Sequence, residues 1–111
     1  GQGKLTDSYG YVQEGNFQNG QLHGMGKDRH YEGEWQNGKY HGQGKETDQR
    51  TFTYMGEFQN GKYHGQGKLF YRTGEEYEGE FQNGKYHGPG KLTSDLGSVY
   101  EGRFQNGEFL G

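Results

Sequence analysis

Tyr77-Glu78-Gly79-Glu80-Phe81-Gln82-Asn83-Gly84-Lys85-Tyr86-His87-Gly88-Pro89-Gly90-Lys91-Leu92 is the stretch that decides the fold. Asn-Gly between two aromatic-containing runs is a hairpin signal, because a type I′ turn needs positive φ at both central residues and this pair adopts it with little strain. With Asn83-Gly84 at the tip, Gln82 pairs with Lys85, Phe81 with Tyr86, Glu80 with His87 and Gly79 with Gly88. Side chains alternate between faces along a strand. One face then carries Tyr77, Gly79, Phe81, Tyr86, Gly88, Gly90 and Leu92. The other carries Glu78, Glu80, Lys85, His87, Pro89 and Lys91, so the segment sorts cleanly into an aromatic and a charged face.

The same stretch recurs along the chain. Gln-Asn-Gly occurs five times, with its glycine at 20, 38, 61, 84 and 107, so the period is 18 and then 23, 23 and 23. Phe17, Trp35, Phe58, Phe81 and Phe104 each precede it, and His23, His41, His64 and His87 each stand, before a glycine, four residues beyond the Asn. Gly1-Gln2-Gly3-Lys4 reads as the tail of a preceding copy. Residues 1–111 therefore read as one continuous array: a partial copy at 1–4, then copies turning at 18–20, 36–38, 59–61, 82–84 and 105–107. The chain is expected to be a window on a longer array. A fixed period of this length marks stacked supersecondary units.

The connections between copies are turn-like at Asp7-Ser8-Tyr9-Gly10, Arg72-Thr73-Gly74-Glu75 and Asp95-Leu96-Gly97-Ser98. Asp48-Gln49-Arg50 lacks glycine and predicts a looser loop. The short link from Lys27 to Tyr31 predicts a tight one. The expected architecture is all-β: an elongated, single-layer antiparallel meander of about ten strands, roughly 45–50 Å long at ~4.8 Å per strand. Glycine beside Tyr and Phe leaves room for the rings to lie on the backbone.

Composition agrees with this. Of 111 residues 24 are glycine, and hydrophobic residues make only 25%, against roughly 45–50% apolar in an ordinary domain. That argues against a two-layer domain with a large core, while 18 aromatics, counted as 10 Tyr, 7 Phe and 1 Trp, argue against disorder. There is no Cys, which removes disulfides and thiolate zinc sites. The net charge of −3 argues against a nucleic-acid binder built on a basic face.

Tyr-Glu-Gly-Glu-(Trp/Phe)-x-Asn-Gly-Lys-x-His-Gly-x-Gly at a 23-residue period resembles the MORN repeat (membrane occupation and recognition nexus), and the likeness covers nearly the whole chain. Departures are Gln13 in place of the first Tyr, Asn16 and Arg103 in place of Glu, Met55 in place of Glu, and the short first link. The resemblance implies β-hairpins stacked into one elongated sheet. Arrays of this family occur alone or joined to other domains: in junctophilins at membrane contacts, in plant phosphatidylinositol phosphate kinases, in radial-spoke proteins of cilia, in parasite cytoskeletal scaffolds, and ahead of a histone lysine methyltransferase domain. It implies a binding or scaffolding module.

Candidate chemistry is sparse. The histidines form a column on the polar face, successive members two strands or roughly 9–10 Å apart, too far to share a metal whose ligands sit at ~2 Å. The expected role is a surface pair with the cross-strand carboxylate, Glu34 with His41, Glu57 with His64 and Glu80 with His87, or support of the backbone turn. Gly61-Lys62-Tyr63-His64-Gly65-Gln66-Gly67-Lys68 has five residues between the outer glycines of a P-loop instead of four, and Leu69 in place of Ser or Thr. No catalytic residue, metal or cofactor is expected, and no enzyme activity. Hairpin repeats that bind choline or glucan are built on Gly-Trp pairs, whereas Trp35 is the single tryptophan here.

The expected function is a protein–protein interaction or scaffold module that binds a partner helix, a peptide or a second copy along an aromatic, glycine-floored groove. The contact residues expected are Tyr31, Trp35, Tyr40, Tyr54, Phe58, Tyr63, Tyr77, Phe81 and Tyr86, in the most regular copies. Edge strands offer self-association. The alternative is a peripheral membrane module for anionic phospholipid headgroups, against which the near-cancelling Lys and Glu columns speak. The expected setting is cytoplasmic: cytoskeletal, ciliary or at the cytoplasmic face of a membrane.

Overall fold

A computed structural model describes residues 2–6 and 12–111. Its elements are β1 (Gln2–Thr6), β2 (Val12–Gln18), β3 (Gln21–Lys27), β4 (Tyr31–Gln36), β5 (Lys39–Asp48), β6 (Phe52–Gln59), β7 (Lys62–Tyr71), β8 (Glu76–Gln82), β9 (Lys85–Thr93), β10 (Val99–Gln105) and β11 (Glu108–Phe109). All eleven lie in one antiparallel sheet in sequence order. The array measures 47 × 25 × 16 Å, the long dimension expected of strands stacked side by side.

The five Asn-Gly turns are the ones the sequence predicts. Asn19, Asn37, Asn60, Asn83 and Asn106 have φ of 51–54° and the following glycines 78–86°, the left-handed pair that a type I′ turn requires. Each later tip is tied to the copy before it: Gly61 N–H donates to the Tyr40 carbonyl (2.9 Å) and Gly84 N–H to the Tyr63 carbonyl (3.0 Å). This stitches neighbouring copies together at one edge.

Beyond the tips the register departs from a straight ladder. Phe81 faces Tyr86 as expected, but Gly79 pairs with Gly90 and not with Gly88, so three residues of β9, His87 to Pro89, oppose Glu80 alone. The same two-residue bulge recurs between Gly33 and Trp35 and between Gly56 and Phe58. Because the shift is two residues, the division into faces survives it. The expected Glu–His pairs do not form, because the bulge points the carboxylates elsewhere. The Glu34 carboxylate accepts from the Gln43 backbone N–H at 2.6 Å, and that of Glu57 from the Gln66 N–H at 2.6 Å. Gly42, Gly65 and Gly88 have φ of 64–65°, and a Cβ on any of them would run into the glutamate opposite. The His-Gly motif is thus a bulge, and the glutamate is its cap.

The opposite edge carries the links between copies. Asp28 holds the short one, its Oδ1 accepting from the N–H groups of His30 (2.9 Å) and Tyr31 (2.8 Å). The link after Asp48 is tight, not loose: Asp48 Oδ1 accepts from Arg50 N–H at 3.0 Å and the Asp48 carbonyl from Thr51 N–H at 3.1 Å. An aspartate that bonds the backbone two residues on replaces the glycine the sequence lacks. Gly74 and Gly97 close the next two links, with φ of 108° and 90°. The turn expected at Asp7-Ser8-Tyr9-Gly10 lies outside the described residues.

Candidate functional site: the aromatic face

Each regular copy builds its aromatic layer on a glycine pair. Gly56 of β6 opposes Gly67 of β7, and Tyr54 lays its ring across them, so that a Cβ on Gly67 would collide with the ring and its hydroxyl. The Tyr54 hydroxyl donates to the Glu57 carbonyl at 2.8 Å. Tyr31 and Tyr77 repeat this seat over Gly44 and Gly90, donating to the carbonyls of Glu34 (2.7 Å) and Glu80 (2.9 Å). In the first copy, where Gln13 replaces the tyrosine, the buried Leu22 fills the space above Gly15 and Gly26.

A second tyrosine then covers the first. Tyr40 stacks on Tyr31, Tyr63 on Tyr54 and Tyr86 on Tyr77, each with ring centroids 3.9 Å apart and planes within 8°. The Phe of the following copy meets each pair edge-on: Phe58 lies 5.1 Å from Tyr31, Phe81 5.2 Å from Tyr54 and Phe104 5.1 Å from Tyr77. Such T-shaped and offset pairs add to area burial. The result is one unbroken aromatic column that links copy to copy.

All nine residues expected to contact a partner are therefore brought together, but in two depths. Tyr31, Trp35, Tyr54, Phe58, Tyr77 and Phe81 are 0–4% exposed and form the core of a protein with no second layer. Tyr40, Tyr63 and Tyr86 lie above them and are partly exposed. Burial pushes the phenols of Tyr31 and Tyr77 up to about 12, and lifts Tyr40, Tyr54, Tyr63 and Tyr86 further.

The outer hydroxyls all point to the edge that carries the links. Tyr40 donates to Asp28 Oδ2 at 3.2 Å and Tyr63 to Glu46 Oε1 at 3.0 Å, while Tyr71 and Glu75 lie near the Tyr86 hydroxyl. Burial raises the Glu46 carboxyl above its ordinary value, and the Tyr63 hydroxyl opposes that shift. Glu46 pairs across the sheet with Tyr31 and with Tyr54, and Asp48 with Phe52, which fixes both acids on the aromatic face. Sequence reasoning missed Asp28, Glu46, Phe52, Tyr71 and Glu75 as part of this face. Strand alternation counted back from each inner tyrosine contains the signal for Phe52 and Glu75.

The strand lysines stand on the other face. Successive cross-strand partners there run Lys4–Glu14–Lys27–Glu32–Lys45, then Met55, then Lys68–Glu78–Lys91–Glu101. Sign alternates at every strand except at Met55. Lys68 there reaches sideways to Glu76 at 3.5 Å. Opposite charges facing one another on a sheet are mildly stabilising, and the five lysines of this ladder nearly cancel against its four glutamates. Among the described residues, no group of His, Asp and Glu side chains is placed to hold a metal ion.

Comparison with known families matches the MORN-repeat model at residues 14–27, 31–49, 54–76 and 77–98. The chain belongs to the MORN-repeat family. The matched segments cover well over half of it, each spans a hairpin, and the last three include the tyrosine seated on a glycine pair. None of the curated proteins compared matches the chain. MORN repeats are typically non-catalytic modules, and their presence marks a repeat-based interaction or scaffold module.

Proposed function

We propose that this MORN array is a non-enzymatic scaffold that docks a protein segment along its aromatic face, over Tyr40, Tyr63 and Tyr86 and the neighbouring Phe52 and Tyr71. The observation that carries this is the layering. Six of the nine aromatic residues are fully used in the core, yet a second tier of tyrosines remains partly open, with hydroxyls aligned along one edge. Rigid, half-buried tyrosines lose little entropy on contact and are the chemistry of binding hot spots. Contact falls on the outer tyrosines, and the inner six act as their platform. The cytoplasmic setting belongs to the same proposal, as does self-association through the edges. Binding to anionic lipid is the weaker reading, because the face holding the lysines alternates them with glutamates.

The test is photo-crosslinking in cells of the source. A benzophenone amino acid is placed at Tyr71, which is 36% exposed on the aromatic face, or at Met55, which is 41% exposed on the charged face. Protein adducts from position 71 and not from 55 support the proposal. Adducts from 55 alone, or sedimentation with anionic vesicles in place of protein capture, overturn it.

A further inference from the structure

The two faces differ in charge, and that difference selects the occupant. We propose that the aromatic face takes a basic amphipathic segment, one Lys or Arg side chain of which enters a depression between His30, Glu46, Asp48 and Phe52. This rests on the docking reading above and adds the chemistry of the partner to it.

The observations are these. Every lysine of β1 to β9 stands on the charged face: Lys4, Lys27, Lys45, Lys68 and Lys91 in the Lys–Glu ladder, and Lys39, Lys62 and Lys85 opposite Gln36, Gln59 and Gln82, each one residue from an outer tyrosine of the other face. The aromatic face carries Asp28, Glu46, Asp48 and Glu75 against no strand lysine. The arginines of this edge, Arg29, Arg50 and Arg72, lie in the links, so among the described strand residues the aromatic face carries acids alone, and apolar rings beside one sign of charge favour the opposite sign. The acids are also not spread evenly. Glu46 and Asp48 are two residues apart on β5, so they point the same way, and with His30 and Phe52 they line a depression of about 160 Å³. That is room for about five waters at ~30 Å³ each, enough for the head of one long cationic side chain. Phe52 supplies a ring wall, which favours a cation over its face. Asp48 is held ionised, the Arg50 N–H lowering its carboxyl below the usual range. Arg50 stands on the same turn through its backbone N–H to Asp48, and Arg72 of the next link is bonded to the backbone, its Nε donating to the Gln49 carbonyl at 3.1 Å. Along the face, the partner's apolar side chains meet Tyr63, Tyr86 and Tyr71.

The test uses fluorescence anisotropy with two labelled amphipathic helical peptides of about 18 residues, long enough to span roughly 27 Å. One is built of Leu and Lys, the other of Leu and Glu on the same pattern. The full chain is compared with the double variant Glu46→Gln/Asp48→Asn. Both substitutions are isosteric and keep the oxygens that accept from Tyr63 and Arg50, so the fold is retained. Glu78→Gln on the charged face removes a charge elsewhere. The Leu/Lys peptide is expected to bind at least tenfold more tightly than Leu/Glu, to weaken about tenfold with the double variant, and to stay within twofold with Glu78→Gln. Equal loss from Glu78→Gln would mean long-range charge alone and overturn the proposed anchor. Tighter binding of Leu/Glu overturns the charge assignment while leaving docking on the aromatic face intact. Failure of both peptides to bind overturns the docking reading along with it.

Discussion

Replacing Glu57 with alanine removes a bulge cap, and the structure holds its own control. The Glu57 carboxylate accepts from the Gln66 N–H at 2.6 Å, and Glu34 does the same for Gln43. Glu80 lies over the equivalent bulge, where residue 89 is proline and has no N–H to give. A hydrogen bond to a charged group contributes roughly 1.5–3 kcal/mol net. Gln66 is exposed, so water takes up its amide once the carboxylate is gone, which sets the cost of Glu57→Ala near the lower end, about 1.5 kcal/mol. Glu80→Ala loses the same methylenes and the same strand propensity without that bond, and its expected cost is about 0.5 kcal/mol or less. The assay is urea unfolding followed by circular dichroism and tyrosine fluorescence. With a slope near 1.5 kcal/mol/M, the Glu57 variant shifts its midpoint by about 1 M and the Glu80 variant by a third of that. Exchange of the Gln66 amide should quicken selectively in Glu57→Ala. Equal midpoint shifts for the two variants, or an unchanged Gln66 amide, would refute the capping role.

Further outcomes follow from the same geometry. Trp35 occupies a position held by Phe in the other copies, and its buried indole N–H meets no acceptor. Trp35→Phe should therefore change stability by less than about 1 kcal/mol, whereas Trp35→Ala should cost about 3–5 kcal/mol, both read from urea midpoints. Tyr31 and Tyr77 ionise near 12 in the fold, against an ordinary 10.0, so the folded state binds these protons more tightly than the unfolded one. Stability should be level below pH 10 and fall between pH 10 and 12, read from urea midpoints across that range. Glu46 is also raised, above an ordinary 4.5, so its neutral form is the one the fold prefers. The penalty is absent below the ordinary value and grows as pH rises through the folded one. Glu46→Gln should then be more stable than the parent at pH 7, and the gain should vanish by about pH 4.

The hairpins were legible in the sequence because Asn-Gly fixes a turn locally and the alternation on either side fixes the faces. The seat of each inner tyrosine was legible in outline, since glycine beside aromatics implies rings lying on backbone. What escaped was non-local. Gly42, Gly65 and Gly88 read as further ring room, and only the pairing of Gly33 with Gly44 reveals them as left-handed bulge residues facing a glutamate. The nine aromatic residues looked equivalent along the strands, and it is the stacking of Tyr63 on Tyr54 that divides them into platform and surface. Asp48 seemed to mark a loose link because glycine was missing, yet its own carboxylate closes the turn. Glu46 belongs to no repeated motif, and it joins the site only because the Tyr63 hydroxyl reaches it across 17 residues.

The central claim is that a tyrosine ring seated on a glycine pair builds both the fold and the face it presents. The direct test is the unfolding free energy of Gly67→Ala against Gly61→Ala. A Cβ on Gly67 strikes the Tyr54 ring, whereas one on Gly61 meets nothing within 4 Å and bears only the strain of φ 82°. The account predicts a loss of about 3 kcal/mol or more at Gly67 and about 1–2 kcal/mol at Gly61. A loss at Gly67 no greater than at Gly61 would contradict it.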